Sequence, residues 1–135
     1  MTRFLLDSGI ASDFLNHRHG VFERARSEVA KGNRIGIGLP ILAELVAGIE
    51  RSQSRDRNMK ILKAALATMK LWPFDRLAAF EYGRIYVELA RSGRSMQVVD
   101  VMIAAIAKTL GNCTVVSTDS DLAAIPDLAV ENWRV

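Results

Sequence analysis

Cysteine is nearly absent: Cys113 is the only one in 135 residues, which excludes an intrachain disulfide and a cysteine metal cluster. It lies in the apolar run NCTVVST and is expected to pack as a small buried hydrophobe. No apolar run approaches the roughly 20 residues that span a bilayer, and Asp7 interrupts the first one before a signal-like segment develops. A soluble, cytoplasmic protein is expected, with no membrane partner. No stretch matches GxxxxGK followed by Ser or Thr, which speaks against a P-loop nucleotidase. Repeats, linkers and low-complexity tracts are also missing. Charge of one sign is scarce: 18 basic against 15 acidic residues give +3, which permits a polyanionic partner without requiring one.

What is present argues for one folded domain over residues 1–135. Half the residues are hydrophobic and mean hydropathy is +0.12, which excludes a disordered chain, and the length suits a single core. The run RFLL ending at Asp7 reads as a buried strand, and SGIASDFLNHRH as a short helix with Ile10 and Phe14 inward. Asp13 and His17, spaced i, i+4, read as a surface pair. A helix over Val21–Ala30 follows, then a strand RIGIG over 34–38, then a helix opened by Pro40, PILAELVAGIE. That helix is apolar nearly all round, which implies burial.

The stretch 51–70 is strongly basic, with Ile61, Leu62, Ala65, Leu66 and Met69 at helical spacing. One face should pack while the other stays cationic. Pro73 in LWPF breaks it. A long helix is expected over Arg76–Arg91, with Phe80, Ile85, Leu89 and Tyr82 or Tyr86 packing. The helix VVDVMIAAIAKTL comes next, its alanines allowing close approach. TVVS reads as a buried parallel strand, TDSDL as a polar turn, and LAVENW as a final strand. Strands alternating with helices predict an α/β fold with a short parallel sheet between helical layers.

Four acids interrupt or terminate apolar segments: Asp7, Glu44, Asp100 and Asp119. A buried carboxylate must be paired, hydrogen-bonded or bound to a metal. Glu44 has Pro40, Ile41, Ala47 and Gly48 as its helical neighbours, none able to pair with it. The others have local alternatives: Asp7 as a helix cap, Asp100 favouring a helix N-terminus, Asp119 as a turn or cap residue. Should the acids converge, all-oxygen ligation selects Mg²⁺ or Mn²⁺, and such a site suits phosphodiester hydrolysis. A receiver-like or phosphatase reading fits less well, since no Asp-x-Asp follows the first strand.

LLDSGIASDFL, LAELVAGIE, the helical pair ending in VVDVMIAAIA, and VVSTDSDLAAIPDLAVENW together resemble the PIN-domain nucleases, in the branch of VapC-type toxins of bacterial toxin–antitoxin pairs. The resemblance spans essentially the whole chain. It implies a three-layer α/β/α sandwich and an Mg²⁺- or Mn²⁺-dependent endoribonuclease whose acids are Asp7, Glu44, Asp100 and Asp119, both catalytic and metal-binding. A cognate antitoxin, a second copy of the chain and an RNA substrate are the implied partners. Two departures stand out: Gly9 where the family usually has asparagine, and Gln97 where glycine is frequent. Asp119 is favoured over Asp121 as the last acid, with Asp121 as a helix cap. Arg18, Arg24, Arg55 and Arg57 are picked as phosphate contacts on charge density. The alternative function is a catalytically silent module of the same fold that binds RNA or protein.

Overall fold

A computed structural model describes residues 1–135. Along the chain run β1 (Arg3–Leu6), α1 (Ser8–Leu15), α2 (Val21–Ala30), β2 (Arg34–Gly38), α3 (Leu39–Glu50) and α4 (Arg55–Leu66). Then come β3 (Lys70–Trp72), α5 (Arg76–Arg91), α6 (Val98–Leu110), β4 (Cys113–Val116), α7 (Ser120–Ala123) and β5 (Ala129–Glu131). The strands form one all-parallel sheet in the order β3-β2-β1-β4-β5. Right-handed crossovers place α1 to α4 on one face and α5 to α7 on the other, which is the expected α/β/α sandwich. Phe4, Leu5 and Leu6 of central β1 are all buried, as a strand covered on both faces requires.

The order makes β1 the turning point. From it the chain moves outward to β2 and β3 on one side, then crosses to β4 and β5 on the other. Ligands in open α/β sheets collect at the carboxyl ends of the strands flanking such a reversal. Here those ends lead into Asp7 and Ser117, and the Asp7 N–H donates to Val116 O at 3.1 Å.

Glycine in β2 follows from packing. A Cβ on Gly36 would stand 2.4 Å from the Lys70 carbonyl oxygen of β3, and one on Gly38 would stand 2.8 Å from Ile106 of α6. On the other face α6 carries Val101, Ile103 and the alanines 104, 105 and 107 into the core, and α5 lies against it with Ala78, Ile85 and Leu89 buried.

Several expectations need correction. Lys70–Trp72 is an edge strand, although Pro73 suggested only a helix break. The basic helix is shorter than the basic stretch and starts at Arg55. α3 is only partly buried: Ile41 is fully buried, Leu42 and Leu45 pack half-buried against the core, and Leu39 is exposed. Of the packing candidates on α5, Ile85 and Leu89 are buried and Tyr82 packs against the core, whereas Phe80 is 73% exposed. Cys113 is half-buried, and desolvation pushes its thiol up to about 12, so it stays protonated and unreactive. No helix is long and apolar enough to cross a membrane.

Because the Gly36 site faces backbone, Gly36→Ala should lower stability by about 1–3 kcal/mol through overpacking. Urea denaturation checks this, and an unshifted midpoint would contradict the close β2–β3 approach.

Candidate functional site

Asp7 stands at the tip of β1 and caps α1: its Oδ1 accepts the Ile10 N–H at 2.8 Å. Its Oδ2 accepts the hydroxyl of Ser117, the residue after β4. Capping and site membership are therefore compatible here. Burial is the main reason its carboxyl is raised above the ordinary 3.8, opposed by these two hydrogen bonds and by Arg134, and reinforced by Asp119.

Ser117, 2% exposed, ties the two strand ends together. Its Oγ donates to Asp7 and accepts the Asp119 N–H at 3.0 Å. Asp119 then caps α7, accepting the Asp121 N–H at 2.8 Å. The expected cap at Asp121 is thus corrected: Asp119 holds that position, because the helix begins at Ser120. Asp121 instead approaches Arg94 at 3.7 Å in an exposed pair.

Asp100 lies in the first turn of α6, half-buried. Desolvation and then the charges of Asp119, Asp7, Glu44 and Asp121 push its carboxyl from the ordinary 3.8 up to about 6. Asp119 presses on it harder than Asp121 does. The four sequence-predicted acids therefore share one electrostatic neighbourhood. Glu44, however, is exposed on α3, so the inference from its burial fails; solvent, not a partner, makes its charge tolerable. It stands at the mouth of a cleft of about 330 Å³ between α1, α3 and α4, lined also by Asn16, Arg18, Leu45 and Asn58.

No group of three or more Asp, Glu, His and Cys side chains forms a ready-made metal-ligating set. The donor chemistry nonetheless fits a hard divalent cation: the donors are all oxygen, and neighbouring like charge helps to raise the Asp100 carboxyl.

Of the arginines picked on charge, Arg24 is committed to Glu28 at 2.8 Å and Glu131 at 3.3 Å and covers the Trp133 ring. Arg55 is held by Glu50 and Asp56. Arg18 lines the cleft, and Arg57 is exposed. Asp13 is no surface residue: its side chain is 3% exposed and accepts from Arg134 Nε at 2.6 Å, while His17 stacks on Phe22. Sequence reasoning missed Ser117, Asp13 and Arg134. Asp13 could have been found, since Ile10, Asp13 and Phe14 share one helical face.

Comparison with known proteins places this arrangement. The PIN domain family model matches residues 4–128. The tRNA(fMet)-specific endonuclease VapC of Shigella flexneri is 29% identical over 133 residues, 98% of this chain and 99% of that protein. Ribonuclease VapC5 of Mycobacterium tuberculosis is 32% identical over 115 residues, 83% of this chain and 84% of that one. VapBC2 from Rickettsia felis, crystallised with a DNA fragment from its promoter, superposes with a TM-score of 0.90 at 28% identity, covering 98% of this chain and 99% of that one. With a family model matched across nearly its whole length, this chain belongs to the PIN-domain family, among the VapC ribonucleases.

Proposed function

We propose that this protein is a metal-dependent endoribonuclease acting in the cytoplasm as the toxin of a toxin–antitoxin pair. The observation that carries this reading is the crowding of carboxylates around Asp100 at the sheet's reversal point. Asp7, Asp100 and Asp119, with Glu44 closing from α3, would hold Mg²⁺ or Mn²⁺. When bound, the ion supplies a lowered water pKa and offsets charge developing on the phosphate.

The chain's own residues prepare that chemistry. Ser117 and the Ile10 N–H fix both oxygens of Asp7, so this carboxylate is oriented before any ligand arrives. Asp100, raised to about 6, is mainly ionised near neutral pH and gains a proton below it, so activity should fall on the acid side. Asp119 is held by its cap. Glu44, on an exposed helix face, is the mobile acid.

Partners follow from the relatives. The solved VapBC structures are toxin–antitoxin complexes, and α3 offers half-buried apolar residues, Val46 and Ile49 among them, with exposed Leu39 to such an antitoxin. On α5, Leu77 is 65% exposed, Phe80 73% and Val87 44%, a stripe suited to a second copy of the chain.

Asp7→Asn should reduce RNA cleavage by more than ~100-fold, and Ser117→Ala by ~10–100-fold, the range typical of residues that orient a ligand. Both variants should keep wild-type circular dichroism. Full activity in a folded Asp7→Asn protein would remove the nuclease reading and leave a silent binding module.

A pH experiment follows from Asp100. Its folded pKa lies above the unfolded one, so its stabilising contribution is complete below about 3.8 and lost as pH rises through about 6. Asp100→Asn should therefore stabilise the metal-free protein at pH 8 by about 1 kcal/mol, discounted for solvent screening at a half-open site, and leave it nearly unchanged at pH 4. Glu28, lowered chiefly by its hydrogen bond from Arg24, works in the opposite direction, so variant and wild type are compared at each pH. Equal melting temperatures at pH 8 would contradict the charge crowding.

A further inference from the structure

After β5 the chain returns to the acid cluster and is fixed there at two points. Trp133 is buried, 2% exposed, with its ring 4.9 Å from that of Phe4. The Val135 N–H donates to His19 O at 3.0 Å, and a Val135 methyl fills the space over Gly20. Between these anchors Arg134 turns back toward α1, where its Nε donates to Asp13 Oδ2 at 2.6 Å. Asp13 is buried and has no other ion-pair partner, while Arg134 remains 39% exposed. The buried partner holds Nε and leaves both Nη groups without a hydrogen bond to protein.

One of these groups, Nη2, lies beside the site. Arg134 Nη2 lies 3.7 Å from the point where a Cβ on Gly9 would stand, and Asp7 Oδ1 lies 3.8 Å from the same point. Only Nε of the guanidinium is hydrogen-bonded to protein. If Arg134 were simply the counter-ion of Asp7, its amino groups would bond to that carboxylate. Asp7 instead gives both oxygens to Ile10 and Ser117. The arginine is close enough to act on Asp7 through space yet keeps its Nη donors unspent. A planar fork with two free amino groups, rigidly held at the rim of a carboxylate cluster, matches the oxygens of a phosphate.

We infer that Arg134 is a phosphate-binding residue of the site, oriented by Asp13, and that the absent side chain at Gly9 opens the space through which an RNA phosphodiester reaches its Nη edge. This inference rests on the nuclease reading and deepens it. It also gives Gly9 a positive role, where the resemblance alone marked it as a loss.

The test measures binding of a fluorescein-labelled single-stranded RNA by anisotropy in EDTA across a salt series, alongside cleavage in Mn²⁺. Arg134→Gln should weaken binding about tenfold, as expected for a lost charge-assisted hydrogen bond, and reduce the slope of log K against log salt by about 0.7. Because that change leaves Asp13 buried and unpaired, the double variant Asp13→Asn/Arg134→Gln is measured too and should show the same loss at near wild-type stability. Gly9→Gln, whose Cβ meets only ordinary contacts, should weaken binding by blocking the opening while the helix stays folded, as circular dichroism checks. Wild-type affinity and salt slope in the folded double variant, with wild-type protein still cleaving RNA, would make Arg134 a structural staple only and leave the nuclease reading intact. Wild-type protein that neither binds nor cleaves RNA would overturn both.

Discussion

Asp119, Asp7, Glu44 and Asp121 all press negative charge on Asp100. Like charges held this close are unfavourable in a half-buried setting, because each ionised group raises the work of ionising the next. A fold accepts such a cluster only if the rest of the structure holds it in place. Here the holding elements are the ends of β1 and β4 and the first turn of α6, all rooted in the fully buried core that includes Leu5, Leu6, Val115, Val116 and Ile103. The carboxylates are thus attached to the most rigid part of the molecule, which is where a preorganised site belongs.

Two small polar devices complete the arrangement. Ser117 joins the strand ends by donating to Asp7 and accepting from the Asp119 backbone, so a shift in one acid is transmitted to the other. The Asp13–Arg134 pair ties the segment after β5 to α1. Buried pairs of this kind add little net stability, but they fix position, and position is what the site needs. Glu44 sits differently, exposed on a helix that is only partly buried.

The sheet and most helices were legible because their signals are local. RFLL, RIGIG and TVVS are short apolar or β-branched runs, and VVDVMIAAIAKTL keeps one helical period throughout. Lys70–Trp72 was not legible: three residues before a proline have no periodicity, and only the close approach permitted by Gly36 makes them an edge strand. α3 misled for a related reason, since apolar composition reports what could be buried and not what covers it. Among the acids, Asp7, Asp100 and Asp119 could be found as breaks in apolar segments. Asp13 escaped because its partner, Arg134, is 121 residues away, and Ser117 because a serine after a strand looks like any turn residue. Long-range pairing of polar groups leaves no spacing to read.

We propose that the crowded carboxylates form the seat of a divalent cation, and diffraction from crystals soaked in Mn²⁺, using its anomalous signal, is the measurement that decides it. A peak bounded by Asp7, Asp100 and Asp119, with Glu44 moved inward, and its loss in Asp100→Asn are the expected results. A peak elsewhere on the surface, or an undiminished one in Asp100→Asn, would contradict such a seat.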